Sequence, residues 1–161
     1  VKIAFLINTV SQTLNLAVEK ILLLIGIAIG IILFAQVIFR YLGASLGWSE
    51  EVSRHLLVAI TFLGGTSAYK RASFIGLSGI GGRLGQAARV FILRLLQALT
   101  LSCFGVIAWF GIEYTIKASE QTTSSLQIPM SIPFAVIPLS SIILAIHVLA
   151  DMTNPARRSP T

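Results

Sequence analysis

Four stretches of this chain hold no Asp, Glu, Lys or Arg: Ile21 to Phe39, His55 to Tyr69, Leu95 to Ile112 and Gln121 to Ala150. All 12 basic and 6 acidic residues lie outside them. A bilayer's hydrocarbon core is roughly 30 Å thick and an α-helix rises about 1.5 Å per residue, so about 20 apolar residues cross it. The pattern predicts an all-α integral membrane protein with four transmembrane helices, over 21–39, 50–69, 95–112 and 129–150. Hydrophobic residues make up 55% of the chain and charged residues 11%, too little polar side chain to coat a water-soluble fold. Residues 1–161 read as one four-span membrane domain.

The net charge of +6 resembles a nucleic-acid signal until the positions are plotted, because the basic excess sits beside the apolar stretches. Membrane lipids are expected as partners, and nucleic acid is not. Lys2, Lys20, Lys70, Arg71, Arg83, Arg89, Arg94, Arg157 and Arg158 fall on one side of a four-span arrangement. Arg40, Arg54 and Lys117 fall on the other. Loops rich in Lys and Arg stay in the cytoplasm, which predicts cytoplasmic N- and C-termini. A single cysteine, Cys103, forms neither an internal disulfide nor a C-x-x-C pair.

Two helices are expected outside the spans. Ile3, Ile7, Val10, Leu14, Ala17 and Ile21 share one helical stripe, while Asn8, Gln12, Asn15 and Glu19 occupy the other face. That is the pattern of an amphipathic N-terminal helix with its apolar side in the membrane interface. Between spans 2 and 3, Gly76, Gly79, Gly81, Gly82 and Gly85 form no G-x-x-x-x-G-K-[ST] phosphate loop. From Arg83, the residues Arg83, Gln86, Arg94 and Gln97 gather on one arc, which predicts an interfacial helix leading into span 3.

The segment from Arg40 to Arg54 concentrates the polar chemistry. Arg40, Tyr41 and Trp48 suit the membrane–water interface. Ser49 is a candidate N-cap, and Glu50 and Glu51 in the first turn of span 2 favour the positive end of its dipole. Glu50 and Arg54 are four apart and can pair. Their face continues through Val58, Thr61, Gly65 and Ala68, small enough for another helix to approach. The two carboxylates have no nucleophile or metal-ligand cluster beside them, so no catalytic residue, cofactor or metal site is assigned. Pro129 or Pro133 is expected to open span 4 and Pro138 to kink it, with Ser140 and Ser141 helping to satisfy freed carbonyls. His55 and His147 stand isolated in the sequence.

No span carries a charge near its centre, which points to a helper rather than an autonomous ion-coupled carrier. A self-contained four-span exporter is the competing class, but it needs a glutamate inside its first span, and Ile21 to Phe39 has none. A membrane enzyme is the third class.

Phe39-Arg-Tyr41, Leu46-Gly-Trp-Ser-Glu-Glu-Val-Ser-Arg54, Phe62-Leu-Gly64 with Ala68 and Arg71, and Ser124-Ser-Leu-Gln-Ile-Pro-Met130 with Pro138 occur in that order. Together they resemble the small, DctQ-like membrane subunit of tripartite ATP-independent periplasmic (TRAP) transporters. At Phe74-Ile-Gly76 the chain departs from the His-Ile-acidic run common in that family. The resemblance implies a bacterial or archaeal inner-membrane complex with two further partners. One is a large membrane subunit holding the substrate and sodium sites; the other is a periplasmic substrate-binding protein that delivers an organic acid. The small subunit would serve as a fixed scaffold, with Arg40, Tyr41, Trp48, Ser49, Glu50, Glu51, Arg54, Gly65 and Pro129 as its candidate interface or structural residues.

Overall fold

A computed structural model describes residues 2–80 and 86–153. It is helical almost throughout: α1 Lys2–Tyr41, α2 Gly47–Ile80, α3 Gln86–Lys117, a 3-10 turn at Ala118–Glu120, α4 Ser131–Phe134 and α5 Val136–Thr153.

Neither expected surface helix stands apart from its span. The N-terminal segment and span 1 form one helix of 40 residues, about 60 Å long at 1.5 Å per residue. No glycine or proline precedes Gly26, so nothing interrupts the ladder between them. The segment expected to form an interfacial helix is likewise continuous with α3 from Gln86; Arg83 and Gly85 lie outside the described residues. Helix α2 starts at Gly47, ahead of the expected Glu50. Ser49 does not cap it, because its Oγ donates backward to the Leu46 carbonyl at 2.7 Å.

The last span is built in two pieces. Pro133 sits in the short α4, and the helix is interrupted at Ala135 before α5 begins. Pro138 has no N–H to offer the carbonyl four residues back, at Phe134, and its ring crowds that turn. Pro129 precedes α4 and belongs to the connecting hairpin, where Thr122 and Pro129 form an isolated antiparallel bridge. Ser141 Oγ donates to the Ile137 carbonyl at 2.9 Å rather than to the carbonyl freed by Pro138.

Named contacts set the packing. Ser11 meets His147, and Val18 and Ile143 share a core layer, so α1 and α5 run antiparallel. Gly111 lies against Pro138, Tyr114 edge-on to Phe134 with ring centroids 5.0 Å apart, and Arg94 against the Met152 carbonyl. Those three contacts make α3 and α5 antiparallel as well. Helix α5 touches α1, α2 and α3 and is the centre of the bundle, with Leu63 from α2 completing the core layer of Val18 and Ile143. The outward faces of α1 and α3 are apolar: Leu24, Ile31, Phe34 and Val37 on one, Phe91, Leu99, Trp109 and Phe110 on the other.

Among the described residues three helical stretches are long and apolar enough to cross a membrane: Phe5–Tyr41, Val90–Glu120 and Ser131–Thr153. The fourth expected span, α2, has the length, with 34 residues. It lacks the apolarity, because its charge-free stretch from His55 to Tyr69 is short, is closed in by Arg54, Lys70 and Arg71, and contains Thr61, Gly64, Gly65, Thr66 and Ser67.

Candidate functional site

The polar groups gather at the two ends of the bundle. At one end α1 turns into α2 and the hairpin at 121–130 folds over the turn. Gly43 takes φ 80°, a left-handed conformation that glycine adopts without a Cβ penalty. The hairpin is closed by the Thr123 N–H on the Ile128 carbonyl and the Met130 N–H on the Gln121 carbonyl, both at 2.9 Å. Thr123 is fully buried, and its Oγ1 accepts the Ile128 N–H at 3.2 Å. Glu51 joins the hairpin to α2: its carboxylate accepts the Ser125 N–H at 2.7 Å, with His55 Nε2 3.8 Å away. Ser125 Oγ also donates to the Gly47 carbonyl at 3.4 Å. The two sequence elements singled out on α2 and before α4 therefore form one physical junction.

The other expected residues of this end behave differently. Glu50 and Arg54 pair at 3.1 Å as their spacing predicts, but both side chains are more than 70% exposed. Arg40, Tyr41, Trp48 and Pro129 are exposed, whereas Ser49 is buried. Gly65 is exposed too, and a Cβ built on it would meet nothing within 4 Å.

At the opposite end lies a cluster that the sequence analysis did not assemble. Ser11 on α1, Lys70 on α2 and His147 on α5 are all buried. Ser11 Oγ sits 2.8 Å from His147 Nδ1, and Lys70 Nζ donates to the same Oγ. Further along the α1–α2 seam, Glu19 accepts from Arg71 at 3.0 Å, from Ser67 at 3.2 Å and from Asn15 at 3.0 Å. Glu19 and Lys70 thus both pair across the seam between α1 and α2. Among the described residues no group of His, Cys, Asp and Glu is placed to hold a metal ion. The arrangement ties helices together.

The family model for the DctQ component of tripartite ATP-independent periplasmic transporters matches residues 29–158. The chain belongs to the DctQ family. A permease of Oleidesulfovibrio alaskensis named isethionate TRAP transporter permease protein DctMQ is 29% identical over 150 residues, covering 86% of this chain and 24% of that protein. A Haemophilus influenzae protein named as a TRAP transporter small permease is 23% identical over 119 residues, covering 71% and 73% of the two chains. The chain thus spans about a quarter of the DctMQ relative. A DctQ protein is a transporter component, not an enzyme, and the enzyme reading ends here.

In this DctQ chain the N-terminal apolar stripe faces away from the bundle, as a lipid-facing stripe does. Val10, Ala17 and Ile21 are exposed, while Ser11 and Val18 are buried and Leu22 and Ile25 pack beside Val18. The expected polar face carries Asn15 and Glu19 into the α1–α2 seam. In water an amphipathic helix turns its polar side outward. In lipid the polar side is the one that needs protein partners, so it turns inward. The polar face thus marked Asn15 and Glu19, while Ser11 lies at its edge and Gln12 is exposed.

Proposed function

We propose that this DctQ chain is the small scaffold subunit of a sodium-driven TRAP transporter importing an organic acid. A periplasmic binding protein would deliver the acid, and a large membrane subunit would carry the transport sites. The supporting observation is the division of α2. One face, with Ala59, Leu63, Thr66, Ser67 and Lys70, is buried in the bundle. The other presents Glu50, Arg54, Thr61, Gly65 and Ala68 around a single large apolar side chain, Leu57, a mostly small and polar surface where α1 and α3 present many Leu, Ile, Phe and Trp side chains. A helix with that outward face is poorly matched to lipid and well matched to the backbone of another membrane helix. On this reading α2 crosses the membrane as the fourth span, covered by the large subunit. The family's DctMQ relative is about four times longer than the part this chain matches, which leaves room for a second component there.

The nine-to-three distribution of Lys and Arg supports placement in an inner membrane with the Lys70 end in the cytoplasm. The Glu51 junction then faces the periplasm and adds to the surface presented to the binding protein.

Two measurements test the proposal. This chain alone in liposomes under a sodium gradient moves no organic acid, and adding the large subunit and binding protein restores uptake; uptake by the small chain alone sinks the scaffold reading. For the interface, Arg54→Ala weakens co-purification with the large subunit by about 3 to 5 kcal/mol if the pair is covered on assembly, because Glu50 is left stranded. The Glu50→Ala, Arg54→Ala double variant is then less damaged than the two singles added. Additive, near-neutral effects place the contact elsewhere.

A further inference from the structure

The direction of each hydrogen bond in the buried cluster follows from what its members can donate. An ammonium group only donates, so Ser11 Oγ accepts from Lys70. The Ser11 hydroxyl keeps one proton to donate, and His147 Nδ1, 2.8 Å away, can accept it when that nitrogen is unprotonated. In that arrangement the ring is neutral and carries its proton on Nε2. That Nε2 is buried and has no hydrogen-bond partner among the described residues. A second proton could enter only at Nδ1, where it would oppose the Ser11 hydroxyl and place a cation one residue away from Lys70 in the same chain of bonds.

We propose that Lys70, Ser11 and His147 form an acid-sensitive clasp, holding α2, α1 and α5 together while His147 is neutral and releasing them when it is protonated. Among the described side chains, the other charged groups along these helices are paired or exposed. Glu19 on α1 is bound by Arg71 and Ser67 of α2, Lys20 is exposed, and Arg94 on α3 is turned to the Met152 carbonyl. Asp151 lies one turn beyond His147 on α5 and holds interactions of its own. None of the described carboxylates is hydrogen-bonded to the His147 ring to stabilise its charged form.

The sign is set by the unfolded chain, where a histidine titrates near about 6.5. The clasp contributes in full above that pH. When Nδ1 takes up a proton, the Ser11 bond loses its acceptor, and linkage then lets the folded-to-unfolded ratio drop by up to about tenfold per pH unit. With two histidines in the chain, nitrogen NMR of the full protein labelled at histidine resolves the ring, and His147→Asn identifies its signals. The expected result is a proton on Nε2 at neutral pH. Acidification should then lower the unfolding midpoint of the wild type but much less that of His147→Asn, whose side-chain oxygen still accepts from Ser11 without titrating. A proton on Nδ1 at neutral pH overturns the proposal. So does protonation of His147 near pH 6.5 with the midpoint unmoved, or an equal pH slope in the two proteins. If His147→Asn does not fold, the ring tautomer and the wild-type midpoint decide the matter together.

Discussion

The Glu51 end and the Lys70 end of this bundle are both polar, yet they are tied by different means. At the Glu51 end the main bonds run from side chain to backbone or between backbone groups, across a turn and a hairpin, and most of the groups are partly wet. At the Lys70 end they run from side chain to side chain between helices 59 and 136 residues apart in sequence, and the central three groups are buried. A wet junction has water as a substitute partner when a bond is lost. A dry one has none, so its loss leaves an unmet donor or acceptor. The first end is suited to shaping a surface and the second to holding helices in register.

The largest test of this contrast is Ser11→Ala. It removes the atom that both Lys70 and His147 use, and unfolding measurements in detergent should show a loss on the order of 3 kcal/mol. A loss as small as that of an exposed serine would mean that water already fills this end. Next comes Glu51→Ala, which takes the acceptor from the Ser125 amide. Hydrogen exchange at Ser125 and Thr123 should accelerate while the helical core stays protected, and global stability should fall less than for Ser11→Ala; a reversed ranking breaks the comparison.

Glycine-to-alanine changes sharpen it from the helix faces. Gly65→Ala should stabilise the isolated chain by about 0.5 to 1 kcal/mol, since nothing crowds the added methyl and alanine is the better helix former. Gly111→Ala should not show that gain, because its Cβ would lie 3.3 Å from Pro138 Cδ. The smallest effect belongs to the Glu50–Arg54 pair. In the isolated chain, Arg54→Ala should cost less than about 1 kcal/mol, as exposed pairs do. A larger cost without any partner would show that the pair already acts within this chain.

The Glu50–Arg54 pair was legible because a helix brings residues four apart together whatever surrounds it. The Glu51–Ser125 bond was half legible: both of its elements stood out, but 74 residues separate them and no local rule joins them. His147 looked isolated because its partners are on other helices. Ser11 was assigned to neither face of the chain's first helix, because it lies between the apolar stripe and the polar one. The break at Ala135 was anticipated from Pro138, while the continuity of α1 was missed because a change in composition near Lys20 was read as a change in structure.

By itself the sequence determined that this chain is helical and membrane-bound. Long charge-free stretches have no other stable form in lipid, where backbone groups must be satisfied within the helix. It also carried enough ordered motifs to indicate the DctQ family. Only the tertiary structure decided that α5 is the central helix, that α2 has one buried and one uncovered face, and that Ser11, Lys70 and His147 meet. Those outcomes depend on the rotation and register of each helix against its neighbours, which are set by side chains distant in sequence competing for the same dry interior.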